Sequence, residues 1–262
     1  MKNAALATLG RMHLLRPGYR AYERLKSIGA PRVSVVGDDP LPLPPPHLMV
    51  RVAGTPDAGW FIESGRLAAA TLADALAGRG CTLEELGGVL DFGCGCGRVL
   101  RHLGGLRATL AGSDADADAV AWCRANLPFA QVVRNGPRPP LPFDESSFDL
   151  AYGLSVFTHL PASLQRAWEA ELTRIVRPGG HVLLTVHGRS YADGLSAEER
   201  RTFDRGELVV RRPSASGTNL CTVFHPPGWI ERELGDGLRV VEHVQEGARG
   251  NPHQDVYVLE RI

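Results

Sequence analysis

The sequence lacks an excess of charge of either sign and lacks long apolar runs. Its 262 residues contain 29 lysines and arginines against 29 aspartates and glutamates. Nucleic-acid-binding proteins usually carry a basic face, so a net charge of zero argues against that partner. No stretch approaches the ~18 apolar residues of a membrane-spanning helix. The start is interrupted by Arg11 and His13. We therefore expect no secretory signal and no integral membrane contact.

Cysteine is also scarce. Five cysteines, an odd number scattered along the chain, do not resemble a disulfide framework, which favours the reducing cytoplasm. Cys94 and Cys96 form a C-x-C pair that could suggest a metal. A structural zinc site needs a second pair of ligands, and none follows at a suitable spacing. We therefore predict no metal.

What the sequence does have is a glycine-rich turn at the centre of an α/β pattern. Residues 89–100, VLDFGCGCGRVL, place glycine at every second position between two apolar segments. This pattern predicts a strand, a tight turn and a helix over residues 98–106. Gly93, Gly95 and Gly97 have no Cβ, so a ligand can lie against bare backbone there. The predicted helix would direct free N–H groups at that ligand.

The turn is compatible with several ligands when taken alone. A phosphate loop is excluded because no Lys-Ser or Lys-Thr follows the glycines. A dinucleotide fingerprint fails because its third glycine would fall at Arg98. A connection without any ligand is the remaining alternative. Asp114 lies 23 positions after Asp91, at the end of the next predicted strand, where a carboxylate can accept hydrogen bonds from both hydroxyls of a ribose. Together these residues favour a nucleoside-containing cofactor.

Two further segments identify a family. The string FDLAYGLSVFTHL at 148–160 predicts a buried strand that reaches the sheet edge, and RIVRPGGHVLLTVHG at 174–188 places Pro-Gly-Gly before another strand. With the acidic-x-Gly-x-Gly-x-Gly motif at 91–97, these segments resemble class I S-adenosylmethionine (SAM)-dependent methyltransferases. The resemblance covers about residues 86–188. It implies SAM as cofactor.

The same resemblance implies a fold and a cofactor site. The expected fold is α/β, a three-layer, Rossmann-like, doubly wound sheet of seven strands. Its last strand would run antiparallel between the fifth and the sixth. Polar side chains after the third strand often meet the adenine in this family. The implied cofactor-binding residues are Asp91, Gly93, Cys94, Gly95, Gly97, Arg98, Asp114, Ala115, Asn135, Gly136, Leu154 and Ser155.

The flanks predict two additions to this core. Residues 1–56 comprise an arginine-rich helix and a proline-rich connector, ahead of a methyltransferase domain over residues 57–262. The basic helix could be a solvated extension, a cover for the substrate, a surface for an acidic partner or membrane, or a contact within a homo-oligomer. An insertion at about 189–224 alternates enough to form a β-hairpin, placed where a lid would lie.

The chemistry predicted from these features is methyl transfer to an oxygen or nitrogen of a small molecule. A general base is needed only when the acceptor holds its proton at neutral pH, and imidazole suits that task. His187, at the end of the fifth strand, and His159, after the fourth, are the catalytic candidates; either could instead serve packing. Two alternatives stay open, a SAM-binding protein of this fold without methyl transfer and an NAD(P)-dependent oxidoreductase.

Overall fold

The computed structural model describes residues 15–31, 39–233, 235–251 and 253–262. Its helices are α1 (Leu15–Lys26), α2 (Pro46–Ala53), α3 (Ala58–Ala77), α4 (Ala117–Asn126), α5 (Ala162–Ile175), α6 (Ala197–Asp204) and α7 (Trp229–Glu233). Its strands are β1 (Gly88–Phe92), β2 (Thr109–Asp114), β3 (Ala130–Arg134), β4 (Phe148–Gly153), β5 (Val176–Val186), β6 (Val209–Arg211), β7 (Thr222–Phe224), β8 (Leu238–Val244) and β9 (Asp255–Arg261).

The main sheet has seven strands in the order β3-β2-β1-β4-β5-β9-β8. β1 to β5 run parallel to one another, and β9 runs antiparallel to both β5 and β8. The predicted doubly wound sheet, with its last strand antiparallel between the fifth and sixth, is confirmed. The strand order reverses between β1 and β4. In open α/β sheets, ligands bind at such a switch point, beyond the carboxyl ends of the strands.

The sheet is buried on both faces, and its central strands are largely apolar, with Asp91 in β1 and Asp149 in β4 as the acidic exceptions. Every residue of β1 is buried. One face packs against α3 through Leu72 and Leu76, and the other packs against α5 through Trp168 and Leu172. Parallel strands covered by helices on both sides show this pattern rather than alternation.

The prediction of a helix after the glycine turn is wrong. The structure has only a 3₁₀ turn at Leu100–Leu103. Gly97 has a φ of 76°, which a right-handed helix cannot contain. Only the six residues 98–103 lie between it and the Gly104-Gly105 pair, and a helix that short is marginal. The expectation that an α-helix at 98–106 directs its N-terminal N–H groups at the ligand is therefore also wrong.

The structure describes part of the N-terminal helix and connector, and it describes the insertion at about 189–224. The predicted N-terminal helix is described only as α1, and Arg11, His13 and residues 32–38 of the connector lie outside the described residues. The insertion contains α6 and an antiparallel hairpin of β6 and β7. The amide of His225 donates to the carbonyl of His187 over 2.8 Å, which ties the hairpin to the end of β5. Within the described ranges, no helix is long and apolar enough to cross a membrane.

Candidate active site

A cleft of about 1150 Å³ lies at the carboxyl ends of the parallel strands, at the switch point between β1 and β4. Its floor is the glycine turn, and its rims are α1 and the connection between β6 and β7. Of the residues predicted for the site, Gly97 and His187 are absent from the lining. Those that line the cleft are Asp91, Gly93, Cys94, Gly95, Arg98, Asp114, Ala115, Asn135, Gly136, Leu154, Ser155 and His159.

The glycine turn needs glycine for two reasons. Gly93 and Gly95 have φ values of 81° and 53°, in the left-handed region that side chains disfavour. A Cβ on Gly93 would also lie 2.4 Å from Cγ2 of Val156, and one on Gly95 would lie 2.6 Å from Cγ2 of Val52. The backbone of the turn is therefore packed from one side and open to the cleft on the other.

The cysteines beside these glycines belong to the core. Cys94, Cys96 and Cys123 are buried, and the thiol of Cys123 donates to the carbonyl of Gly95 over 3.4 Å. Burial raises the pKa of Cys96 well above its ordinary value, so the thiol form is retained. Across the described part of the chain, no cluster of histidine, cysteine and carboxylate side chains is arranged to hold a metal.

Asp114 joins the end of β2 to the glycine turn. Its Oδ2 accepts a hydrogen bond from the amide of Gly95 over 2.8 Å, and its Oδ1 accepts from the amide of Asp116 over 2.8 Å. Burial raises the pKa of this carboxyl group, while the two amides act in the opposite direction. A carboxylate oxygen has about two acceptor sites, so both oxygens can still accept a ligand hydroxyl.

Asp91 and Arg98 place one acidic and one basic side chain in the buried end of the cleft. Burial raises the pKa of Asp91 to about 7. The Nη1 of Arg98 donates to the carbonyl of Ser64 over 2.9 Å, and its Nη2 donates to Oδ1 of Asn251 over 2.6 Å. No carboxylate of the described residues lies within salt-bridge distance of this guanidinium. The site therefore presents a buried cation whose hydrogen bonds go to neutral groups.

The rim of the cleft is held by a group of ion pairs. Glu23 of α1 is buried and accepts hydrogen bonds from Nε and Nη2 of Arg51 at 2.9 and 2.7 Å. Arg51, on α2, also bonds Asp116 through Nη1, and its carbonyl accepts from the side chain of Asn219 in the insertion. Tyr19 of α1 packs on the insertion as well. α1, α2 and the insertion are therefore linked across the cleft.

The structure separates the two candidate histidines. His159 lines the cleft, and its Nδ1 lies 2.7 Å from the carbonyl of Cys221. A carbonyl can only accept, so Nδ1 carries the proton and Nε2 keeps a lone pair. His187 instead lies behind Tyr191, with ring centroids 4.2 Å apart, and its Nδ1 donates to the carbonyl of Val223 over 3.1 Å. Of the two, His159 has direct access to a bound molecule.

Burial affects both imidazoles in the same direction. It lowers the pKa of His159 below its ordinary value, and it lowers the pKa of His187 to about 4, with a smaller contribution from His159 itself. Both rings are therefore neutral near pH 7, the form that can accept a proton.

Two amide side chains of the site were missed from the sequence. Asn251 and Gln254 lie in the connection before β9, line the cleft and are buried. Gln254 donates to Oγ of Ser155 over 2.7 Å and accepts from Oγ1 of Thr185 over 2.7 Å. These bonds hold Ser155 at a φ of 63°, unusual for a residue with a side chain. No motif marks this connection, since its place at the site depends on β9 inserting beside β5.

Comparison with known proteins decides the class. A family model described as a methyltransferase domain matches residues 90–184. These residues form a class I SAM-dependent methyltransferase domain. The match contains β1, the glycine turn, Asp114 and most of β5, the elements that build the floor of the cleft.

The methyltransferase domain also matches curated proteins. The chain is 38% identical over 102 residues to an uncharacterized methyltransferase of Synechocystis sp., covering 38% of this chain and 47% of that protein. It is 31% identical over 98 residues to a sterol 24-C-methyltransferase of Schizosaccharomyces pombe, covering 35% and 25%. The chain thus spans a quarter to about half the length of these relatives.

A solved structure confirms the fold. A SAM-dependent methyltransferase from Mesorhizobium loti matches the model with a TM-score of 0.55 at 20% identity, covering 74% of this chain and 100% of that one. The agreement extends beyond residues 90–184, so the methyltransferase fold includes structure outside the matched family segment.

Proposed function

We propose that this protein transfers a methyl group from SAM to an oxygen or nitrogen of a small molecule. The observation that carries the proposal is a single cleft that joins the glycine turn and Asp114 to His159 and the insertion. The cleft is larger than the 300–1,000 Å³ typical of one ligand, so it has room for a cofactor and a small acceptor together.

The lining fits the chemical groups of SAM. Asp114 would hold the two ribose hydroxyls, and Gly93 and Gly95 would allow the methionine end to approach the backbone. The Oδ1 of Asn135 is buried without a hydrogen-bond partner among the described residues, which suits an adenine amino donor. Asp91 would hold the ammonium group and Arg98 the carboxylate. The ribose hydroxyls, the adenine amino group and the two charged groups of the methionine end thus each have a complementary side chain.

SAM would supply a methyl group on a positively charged sulfur. The protein would bind and orient the acceptor, exclude water and accept a proton. The residues of the cleft hold the acceptor near attack distance, and α1 and the insertion limit the access of water. The Nε2 of His159 can accept the proton that the acceptor loses. His187 does not line the cleft, so we assign the base to His159.

Transfer of a labelled methyl group tests this function. The full chain is incubated with methyl-labelled SAM and the small-molecule fraction of a cell extract. We expect label to enter a small molecule and S-adenosylhomocysteine (SAH) to form in equal amount. Binding of SAM without transfer to any fraction would favour the alternative of a SAM-binding protein without methyl transfer.

The affinity for SAM is expected to fall as the pH drops below about 7. The ammonium group needs Asp91 as a carboxylate, whereas the ligand-free protein holds the Asp91 proton up to a pKa of about 7. The decrease approaches about tenfold per pH unit. Calorimetric titrations at several pH values measure it. The amino group of SAM also titrates, so Asp91→Asn is the reference that isolates Asp91. An equal pH dependence in the wild type and in Asp91→Asn would contradict the assignment.

The same shift predicts how the ligand-free chain responds to pH. The pKa of Asp91 is raised in the folded state, so the folded chain retains a proton that the unfolded chain has already lost. The contribution of Asp91 to the free energy of unfolding therefore decreases from about pH 4 to about pH 7 and is constant above that range. Denaturation at several pH values, compared with Asp91→Asn, checks the sign.

A further inference from the structure

The charged side chains that line the cleft all come from the first part of the chain. From residue 135 onward, no aspartate, glutamate, lysine or arginine of the described residues lines the cleft. We call the charged lining residues the charged wall, and the residues after β4, at the start of α5 and in the β6–β7 connection the uncharged wall. The two walls meet at the rim, where the side chain of Asn219 donates to the carbonyl of Arg51. The charged wall consists of Arg20, Glu23, Arg51, Asp91, Arg98, Asp114, Asp116 and Arg134.

The uncharged wall lies on the acceptor side of the sheet. Asp114 and the glycine turn follow β2 and β1, on one side of the switch point, and they account for the cofactor. The residues after β4, the start of α5 and the β6–β7 connection lie on the other side. They line the cleft with apolar side chains, neutral polar groups and the neutral imidazole of His159. Examples are Leu160, Leu164, Trp168, Ser214, Thr218 and Leu220.

From this asymmetry we propose that the acceptor is an uncharged molecule that presents a hydroxyl group, and that Nε2 of His159 takes the hydroxyl proton. The inference rests on the proposed function and narrows it from oxygen or nitrogen to oxygen. The acceptor would be partly apolar, since Leu160, Leu164 and Leu220 line part of its wall.

Other acceptor classes fit this wall poorly. An aliphatic amine is an ammonium ion at neutral pH, and a carboxylic acid is a carboxylate. Either would enter a wall without an opposite charge, and the nearest charged side chains of the rim, Glu23 and Arg51, are already paired with each other. Burying an unpaired ion costs far more than burying a hydroxyl that finds a hydrogen bond. Methylation of an alkene carbon would leave a carbocation beside a wall with no carboxylate to stabilise it. A hydroxyl needs only an acceptor for its proton.

His159 follows β4 and is hydrogen-bonded to the insertion through both its side chain and its backbone. Its ring donates through Nδ1 to the carbonyl of Cys221, and its own carbonyl accepts from the amide of Gly217 over 2.9 Å. The Cys221 bond fixes the tautomer that leaves Nε2 unprotonated. The imidazole is thus held between the end of β4 and the insertion, with its basic nitrogen as the one available for a ligand.

The step balances without any further reactant. The O–H bond of the acceptor breaks, and its proton passes to Nε2 of His159. The oxygen forms a bond to the methyl carbon as the carbon–sulfur bond breaks, and sulfur keeps that electron pair. The products are a methyl ether, neutral SAH and an imidazolium that returns its proton to water.

The chemical class of the labelled product tests the inference. Products formed from methyl-labelled SAM and a small-molecule extract are separated by ion exchange, treated with mild base and then cleaved with hydrogen iodide. We expect the label in a neutral, base-stable fraction that releases methyl iodide. Label retained on a cation exchanger, released as methanol by base, or resistant to hydrogen iodide would indicate an amine, an ester or a carbon acceptor. Each of those results would overturn the inference and leave the methyltransferase function intact.

A pair of asparagine variants tests the role of His159. The side-chain amide of His159→Asn can still donate to the carbonyl of Cys221, but it lacks the nitrogen in the place of Nε2. We expect kcat to fall by about 10²–10⁴-fold with the SAH affinity within about threefold of wild type. His187→Asn keeps the equivalent bond to Val223 and is the matched control, with kcat near wild type. Activity of His159→Asn within a few-fold of wild type, or an equal loss in His187→Asn, would overturn the assignment.

Discussion

An Asp114→Asn variant is expected to bind SAH about 10–100-fold more weakly than the wild type. Hydrogen bonds to a charged partner contribute about 1.5–3 kcal/mol, against about 1 for neutral pairs, and 1.4 kcal/mol corresponds to tenfold in affinity. The amide retains one acceptor oxygen and introduces a donor where a second ribose hydroxyl would donate. Calorimetric titration with SAH measures the loss.

The hydrogen bonds of Asp114 and the position of Asp118 determine the controls for this experiment. Asp114 also accepts hydrogen bonds from the amides of Gly95 and Asp116, so the free energy of unfolding of the variant should be measured alongside its affinity. Asp118→Asn is the matched control, because Asp118 lies on the same segment, is about half exposed and does not line the cleft. Equal affinities of Asp114→Asn and Asp118→Asn would remove Asp114 from the cofactor site.

Gly65→Ala is expected to lower the free energy of unfolding by about 1–3 kcal/mol. Alanine normally stabilises a helix interior relative to glycine by about 0.5–1 kcal/mol, and Gly65 lies within α3. Here, however, a Cβ would lie 2.0 Å from the carbonyl oxygen of Arg98 and 2.8 Å from Nε2 of His102. The helix must move away from the segment that follows the glycine turn. Denaturant titration measures the cost.

The same helix offers the control for this variant. A Cβ on Gly59 would approach only Oδ1 of Asp57, at 3.2 Å, and a shift of a few tenths of an ångström relieves this contact while Asp57 still caps the helix through the amide of Trp60. We expect Gly59→Ala to change the stability by less than about 1 kcal/mol. Gly65→Ala should also weaken SAH binding, because Arg98 donates to the carbonyl of Ser64 beside it. If both variants were equally stable, the close packing of α3 on the turn would be wrong.

The cofactor half of the site could be predicted from the sequence because its signals are local. The left-handed backbone at Gly93 and Gly95 requires glycine, and Asp114 ends a strand whose apolar run is evident. Such residues occupy the same sheet edge in any parallel arrangement of these strands. The length of the helix after the turn was less predictable, since the apolar spacing at 98–106 does not show that Gly97 is left-handed.

The acceptor half could not be resolved from the sequence, because it depends on contacts between distant segments. His159 and His187 both follow strands, and only the position of the insertion places one in the cleft and the other behind Tyr191. Gln254 reaches Ser155 across 99 positions of sequence. The division at residue 56 and the covering role of the hairpin remain predictions.

The most direct test of the account is a calorimetric titration of the full chain with SAM, with SAH and with NAD. The account predicts one site per chain for SAM and for SAH, and no binding of NAD, because the turn ends in Arg98 where a dinucleotide site needs its third glycine. Asp114→Asn should lower the affinity for both SAM and SAH. Binding of NAD in preference to SAM, or the absence of binding by SAM and SAH, would contradict the central claim that this cleft is a SAM site.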